Sequence, residues 1–188
     1  MWSLELLIAT AALSTALGVA SPARADEYDP LHGLVDTAAQ RLLTADPVAA
    51  FKWIKGGSIE DPARVTQVLD AVGKDAHERG IDAAFVRRAF EDQIHATEGV
   101  EYTRFGQWKF DPATAPSTAP DLAESRTAID GYNRTMVAEM AAQRDVLAGP
   151  YCRQALGDAR AVVVAERRLD PLYARALDSA TASYCPAT

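Results

Sequence analysis

The sequence predicts an all-α protein, and three observations support this fold class. Alanine is abundant, and apolar residues recur at intervals of three and four in nearly every long segment. The alternation of apolar and polar residues that is typical of β-strands is missing from these segments. Asp residues at their beginnings and Gly residues at their ends are ordinary helix start and stop signals. We therefore expect one domain, residues 26–188, built as a bundle of six helices.

The first residues form an apolar segment that we interpret as a secretory signal peptide. The run "LLIATAALSTALGVA" is uncharged and shorter than the ~20 residues that a membrane-spanning helix needs. Ser21 and Pro22 follow it, and the small residues Ala23 and Ala25 then flank Arg24, so a signal peptidase would cleave after Ala25. We expect residues 1–25 to be removed and the protein to be secreted or periplasmic. Because Glu5 stands where Lys or Arg is usual, an uncleaved N-terminal anchor is the alternative.

The first half of the mature chain is expected to contain three helices, over residues 30–54, 61–79 and 82–110. Gly56 ends the first of them. Asp61 and Pro62 begin the second, with a capping carboxylate and a proline in the first turn. Gly80 ends the second helix, and Asp82 caps the third.

The second half is expected to contain three more, over residues 121–149, 150–167 and 169–184. The segment "DPATAPSTAPD" is too rich in Pro, Ser and Thr for a helix, so it should be a surface connection. Asp121 caps the fourth helix, and Gly149 with Pro150 ends it. Cys152 then lies at the start of the fifth helix and Cys185 at the end of the sixth.

Both cysteines of the chain are predicted to form one disulfide. Cys152 and Cys185 belong to a chain with an export signal, and an oxidising compartment favours the bond. It would link the fifth and sixth helices as an antiparallel pair. Two free buried thiols are the alternative, which would suit a cytosolic protein better.

Composition and motifs exclude several classes of function. The net charge is −7 and no run of Lys or Arg occurs, which argues against nonspecific binding of nucleic acid. The histidines are scattered, and no His or Cys pair has the spacing of metal ligands. Neither a phosphate loop nor a nucleophile with its base is recognisable. We expect neither a metal nor a cofactor.

Two cations lie in a segment that otherwise resembles the apolar face of a helix. Arg41 and Lys52 are eleven residues apart, and at ~100° per residue that spacing returns them to nearly the same face. Val48 lies on this face between them. Both cations could extend along their alkyl stems to solvent, which is commoner for an arbitrary pair.

Further polar residues occur on the next three helices. Asp61 and Arg64 share a face of the second helix, where an intrahelical ion pair would explain them. Thr97 and Glu101 share a face of the third, and Arg126 follows the capping Asp of the fourth. Each residue alone fits a solvated or structural role. Together they predict a cation-rich pocket for a small dicarboxylate or similar anion, since Arg binds carboxylates through two donors.

Four segments resemble a known family. They are "LVDTAAQRLLTADPVAAFKW", "IEDPARV", "FEDQIHATEGVEYTRFGQWK" and "DLAESR". In order and spacing they resemble the secreted chorismate mutases of the AroQ gamma subclass, over residues 34–185 with both cysteines included. The resemblance implies a chorismate mutase type II (AroQ) helical fold with one disulfide. It also implies an active site within one subunit, and a homodimer.

The activity implied by this resemblance is the isomerisation of chorismate to prephenate in aromatic amino-acid biosynthesis. This Claisen rearrangement breaks one C–O bond while a C–C bond forms, without a cofactor. The enzyme must hold a flexible dicarboxylate in its reactive chair and stabilise negative charge that grows on the ether oxygen. The alternatives are an exported non-catalytic protein that acts by binding a partner, and a module that binds another aromatic acid.

The resemblance also gives roles to the polar residues. Those expected to bind the substrate's carboxylates are Arg41, Arg64, Thr97 and Arg126. Lys52 and Glu101 would act at the ether oxygen, and Asp61 would contact the ring hydroxyl. A carboxyl group donates a hydrogen bond only when it is protonated. We therefore expect a raised pKa for Glu101 in the substrate complex and activity that falls above neutral pH.

Two positions depart from the family pattern near the expected site of the ring hydroxyl. Val65 stands where cytosolic relatives often have Glu, and Val68 where secreted relatives can carry Gln. Asp61 would then be the remaining polar contact, or water would fill the gap.

Overall fold

The protein, represented by a computed structural model, is described over residues 29–186, which contain α-helices and no strand. The all-α fold class is confirmed. The predicted signal peptide, residues 1–25, lies outside the described residues. None of the helices between residues 29 and 186 is long and apolar enough to cross a membrane. The α-helices are α1 (His32–Leu42), α2 (Ala45–Lys55), α3 (Pro62–Glu78), α4 (Ala83–Phe110), α5 (Leu122–Ala142), α6 (Arg144–Ala148), α7 (Cys152–Glu166) and α8 (Pro171–Ala180).

The prediction of one continuous first helix over residues 30–54 was wrong, because the structure has two helices there. A turn at Leu43 and Thr44 separates α1 from α2, and the Thr44 hydroxyl donates to the carbonyl oxygen of Arg41 at 2.6 Å. Pro47 explains the break, because a proline ring clashes with the carbonyl four residues earlier when a helix continues through it. The proline is tolerated in the first turn of α2, where no such carbonyl lies in a helix.

Other boundaries differ at the C-terminal end. The predicted fourth helix is divided at Gln143 into α5 and α6. The predicted sixth helix ends at Ala180, and a 3-10 turn, Ala182–Tyr184, continues toward Cys185. The predicted connection before α5 contains only a 3-10 turn, Pro112–Thr114, and no α-helix.

The three predicted helix caps are confirmed. The carboxylates of Asp61, Asp82 and Asp121 each accept a backbone N–H from the first turn of α3, α4 and α5. Such a cap typically contributes about 1 kcal/mol, because it satisfies an N–H that has no partner within the helix. At Asp61 the cap also places the carboxylate at the edge of the cavity described below.

The long helix α4 is the centre of the packing. It measures about 42 Å at 1.5 Å per residue and contacts α2, α3 and α8, while α1 packs against α5, α7 and α8. Large side chains buried in the main core include Leu34, Leu42, Phe90, Met136 and Leu177. Each contributes about 1.5–3 kcal/mol by leaving water. The core therefore holds α1, α4 and α5 in a fixed relation.

A second, aromatic cluster attaches α2 to the last turns of α4. The ring centroids of Trp53 and Phe105 are 5.2 Å apart, and those of Trp53 and Trp108 are 5.6 Å apart. Both pairs have the edge-to-face arrangement that aromatic rings favour. Because Trp53 is directed toward these rings, its neighbour Lys52 faces the other way, into the cavity between α2 and α4.

The predicted disulfide between Cys152 and Cys185 is confirmed. It connects the beginning of α7 to the segment that follows α8, across a sequence separation of 33 residues. A loop of this length should stabilise the fold by about 3–4 kcal/mol, if the unfolded chain loses the expected entropy.

Reduction of the disulfide should therefore lower the melting temperature by roughly 10 °C. Thermal unfolding followed by circular dichroism, with and without a thiol reductant, measures the shift. The double substitution Cys152→Ala and Cys185→Ala should melt at the lower temperature and be insensitive to reductant. An unchanged melting temperature in the reduced wild type would contradict this expectation.

Candidate active site

One cavity between α1, α2, α3, α4 and α5 brings together all seven polar residues singled out from the sequence. They are Arg41, Lys52, Asp61, Arg64, Thr97, Glu101 and Arg126. Apolar side chains, among them Val48, Ile59, Ile94 and Ile129, form the rest of the wall. The site is therefore a polar cluster in apolar surroundings, where charges interact more strongly than in water.

Arg41 is a buried cation without an anionic partner in the described part of the chain. Its side chain is held on α1 with only 4% of the residue exposed. Nε donates to Oδ1 of Asn133 at 2.8 Å and Nη1 donates to Oγ1 of Thr97 at 3.3 Å, so both partners are neutral. Burial lowers its pKa to about 10, which leaves the guanidinium charged at neutral pH. A buried charge of this kind is costly unless an anion joins it.

Lys52 and Glu101 form an ion pair that also lines the cavity. Nζ of Lys52 donates to Oε2 of Glu101 at 2.8 Å and to the carbonyl oxygen of Ile59 at 2.6 Å. An ammonium has three N–H donors, so one remains for a bound molecule. Burial raises the pKa of Glu101, and the hydrogen bond from Lys52 opposes this rise.

The remaining two arginines are paired with carboxylates. Nη2 of Arg64 lies 2.5 Å from Oδ1 of Asp130, and Nη1 donates to Gln67. Nη2 of Arg126 donates to Oδ2 of Asp61 at 2.9 Å, at the exposed edge of the cavity. The intrahelical ion pair considered for Asp61 and Arg64 does not form, since Asp61 accepts the backbone N–H of Arg64 instead.

Arg41 and Lys52 line the same cavity for a reason other than their spacing along one helix. The two residues belong to separate helices, so spacing along one helix does not align them. They converge because each contacts α4, Arg41 through Thr97 and Lys52 through Glu101. Thr97 and Glu101 are one turn apart on the same face of α4.

Four further groups that line the cavity or contact the residues lining it were not predicted from the sequence. Asp130 and Asn133, the partners of Arg64 and Arg41, lie four and seven residues after Arg126 on α5. That helical spacing could have identified both. Glu98, next to Thr97 on α4, also lines the cavity. The carbonyl of Ile59, which accepts from Lys52, had no signal in the sequence.

The arrangement suits the binding of a small anion with more than one negative group. Four cations surround the cavity, and three of them are held by carboxylates that a bound anion could replace or supplement. Between residues 29 and 186 no group of three or more His, Cys, Asp or Glu is placed to hold a metal ion. Fold and site thus define a class of helical protein that holds a small polyanion between its helices by charge and hydrogen bonds.

Comparison with known proteins identifies the family within this class. Residues 24–102 match the family Chorismate mutase type II. A secreted chorismate mutase of Mycolicibacterium smegmatis is 54% identical over 180 residues, which cover 95% of this chain and 99% of the relative. A secreted chorismate mutase of Mycobacterium tuberculosis is 47% identical over 189 residues, which cover 97% of this chain and 95% of the relative. The chain belongs to the chorismate mutase type II family, among its secreted AroQ members.

Solved structures agree with this assignment. The chorismate mutase of Burkholderia thailandensis is 34% identical with a TM-score of 0.78, covering 83% of this chain and 99% of that one. The chorismate mutase of Burkholderia phymatum is 30% identical with a TM-score of 0.80, covering 85% of this chain and 98% of that one. A secreted chorismate mutase of Yersinia pestis is 18% identical with a TM-score of 0.67, covering 80% of this chain and 94% of that one. At this identity the similarity shows the fold alone.

Proposed function

We propose that this protein is a secreted chorismate mutase that isomerises chorismate to prephenate by a non-covalent Claisen rearrangement. The observation that carries the proposal is the buried Arg41 guanidinium, which has no carboxylate partner among the described residues and lines the same cavity as the Lys52–Glu101 pair. Chorismate supplies two carboxylates and an ether oxygen, the groups that these cations would meet. The high identity to relatives named secreted chorismate mutase supports the same function.

The first task of the enzyme is to fix the shape of the substrate. Arg41 offers a charge that needs an anion, and Arg64 and Arg126 offer guanidinium groups that face the same cavity. The Thr97 hydroxyl already joins the Arg41 guanidinium. Binding both carboxylates to groups on separate helices would select the reactive chair among the conformers of a flexible molecule. Such positioning contributes to the rate because the entropy of alignment is lost before the reaction begins.

The second task is to stabilise the charge that develops on the ether oxygen as the C–O bond breaks. Lys52 would donate its third N–H to this oxygen, while Glu101 and the Ile59 carbonyl hold the ammonium in place. Protonated Glu101 would donate a second hydrogen bond to the same oxygen. The rearrangement requires neither a base nor a nucleophile, which agrees with a site made of hydrogen-bond donors and apolar walls.

The activity should fall as pH rises through the pKa of Glu101 in the substrate complex. Burial raises the pKa of Glu101 above its ordinary value in the protein without substrate. We expect the substrate complex to keep this rise, so the protonated, donating form would persist to higher pH and then be lost. In Glu101→Gln the amide donates at every pH, so the alkaline fall should disappear. Profiles of kcat against pH measure both, with Glu91→Gln on the exposed face of α4 as the control. Superimposable profiles of wild type and Glu101→Gln would refute the role of Glu101.

A direct assay tests the function. The purified oxidised protein should consume chorismate, seen as a loss of its ultraviolet absorbance, and produce prephenate. Arg126→Ala should lower this activity strongly while the circular dichroism of the helices stays unchanged. Tight binding of chorismate without turnover would favour a non-catalytic protein with a vestigial pocket, and the absence of binding would exclude both.

We also propose export with cleavage after Ala25, which leaves residues 26–188 as a single catalytic domain. The relatives named secreted and a disulfide suited to an oxidising compartment support this proposal. The intact mass of protein collected outside the cytoplasm tests it. A mature protein that begins at another residue would move the cleavage site, and a retained leader would favour the anchor.

A homodimer is proposed as the assembly in solution. Aromatic side chains on the surface of the single chain are available for such a contact, with Phe110 94%, Tyr151 76% and Tyr102 52% accessible. Contact with a second copy would cover such side chains. Size-exclusion chromatography with light scattering should give twice the mass of one chain, and a mass of one chain would contradict the proposal.

A further inference from the structure

Glu98 is a carboxylate on the cavity wall that no other residue engages. It lies on α4, is partly buried, and faces the same cavity as Thr97 and Glu101. Among residues 29–186 no hydrogen bond or ion pair involves its oxygens, whereas Glu101 is paired with Lys52. Burial raises the pKa of Glu98, and electrostatic interactions with His95 and Lys52 oppose the rise. Its oxygens are therefore free to accept a hydrogen bond from a bound molecule.

Asp61, the residue expected to contact the ring hydroxyl, is already engaged on both oxygens. Oδ1 accepts the backbone N–H of Arg64 at 3.0 Å as the cap of α3, and Oδ2 accepts from Nη2 of Arg126 at 2.9 Å. Val65 and Val68 line the cavity nearby and offer no polar side-chain atom. Asp61 thus caps α3 and orients Arg126, whereas both oxygens of Glu98 are without a partner among the described residues.

The connectivity of chorismate places its hydroxyl near Glu98. In chorismate the carbon that bears the ring hydroxyl is bonded directly to the carbon that bears the ether oxygen. Lys52 and Glu101 mark the position of the ether oxygen in the proposed function. Glu98 precedes Glu101 by three residues, which puts the two carboxyl groups on adjacent turns of one helix face. A group vicinal to the ether oxygen would thus lie beside Glu98.

We infer that Glu98 accepts a hydrogen bond from the ring hydroxyl of the substrate and makes this enzyme selective for the hydroxylated ring. The inference rests on the proposed function and adds a specificity-determining residue to it. The hydrogen bond would involve a charged acceptor in a partly buried site, where such bonds are stronger than neutral ones. Its loss should cost about 10- to 100-fold in kcat/KM.

The test combines variants with a substrate analogue. Wild type, Glu98→Ala and Glu98→Gln are assayed with chorismate and with 4-deoxychorismate, in which hydrogen replaces the ring hydroxyl. The wild type should prefer chorismate by about 10- to 100-fold in kcat/KM. Glu98→Ala should lose most of this preference, because the hydroxyl no longer has its partner, and Glu98→Gln should retain part of it through the amide oxygen. The exposed Glu91→Gln on the same helix should behave as the wild type does.

The outcomes separate this inference from the function on which it rests. Asp61→Asn should reduce activity on both substrates and keep the wild-type preference between them. A preference that survives in Glu98→Ala and disappears in Asp61→Asn would overturn the inference while leaving the mutase activity established. A wild type that does not convert chorismate would overturn the proposed function and the inference together. Circular dichroism confirms that each variant is folded.

Discussion

Replacement of Lys52 by alanine should lower kcat by about 10²–10³-fold, the usual effect of removing one preorganised donor from a developing oxyanion. In the proposed mechanism the third N–H of the ammonium would contact the ether oxygen, while Glu101 and the Ile59 carbonyl hold the ammonium in position. Because the charge on the ether oxygen grows only as the C–O bond breaks, the loss should fall on kcat more than on KM. Initial rates over a range of chorismate concentrations measure this division.

Lys55→Ala is the matched control for this experiment. Lys55 lies on the same helix, α2, but is exposed and does not line the cavity. It should retain the activity of the wild type. In Lys52→Ala the buried Glu101 loses its cation and can take up a proton, which limits the loss of stability. A Lys52→Ala enzyme that is folded and within a few-fold of the wild-type kcat would refute the assigned role.

Replacement of Arg41 by glutamine should raise the KM for chorismate by about 10²-fold, because a charge-assisted contact to one carboxylate is lost. The free energy of unfolding should stay the same or increase. Among the described residues Arg41 has only neutral hydrogen-bond partners and is buried. Its charge therefore destabilises the folded protein when no anion is bound. The glutamine amide can still donate to Asn133. Steady-state kinetics and urea unfolding measure the two effects separately.

Arg175→Gln provides the control, since Arg175 is exposed on α8 and lies away from the cavity. It should change neither KM nor the midpoint of urea unfolding. The opposite pattern for Arg41→Gln, a large loss of stability with an unchanged KM, would make Arg41 a structural cation and not a substrate ligand.

The fold could be predicted well where the signals are local. Asp61, Asp82 and Asp121 cap helices because a carboxylate beside an unpaired N–H stabilises a helix start wherever the helix later packs. The turn at Leu43 and Thr44 could not be predicted from periodicity, because the apolar pattern continues across it and a proline such as Pro47 is also tolerated in the first turn of a helix.

The site was predictable in its residues and less so in its contacts. Arg41, Lys52, Arg64 and Arg126 were conspicuous as cations among apolar neighbours, and all of them line one cavity. Which charged side chains pair with one another was not predictable. Asp61 is engaged by both Arg64 and Arg126, so the one free carboxylate on the described wall is a residue that no sequence argument had selected.

Residue types and their spacing along each helix were enough to establish an all-α, disulfide-linked chain with cations available for a small dicarboxylate. Only the tertiary structure decided which cations pair with carboxylates and which cation has only neutral partners. Lys52 meets Glu101 across 49 residues of sequence, Arg64 meets Asp130 across 66, and Arg41 meets Asn133 across 92. Helical periodicity orients side chains within a helix, whereas the charge balance of a cavity depends on packing between helices. That packing leaves Arg41 without a carboxylate partner among the described residues.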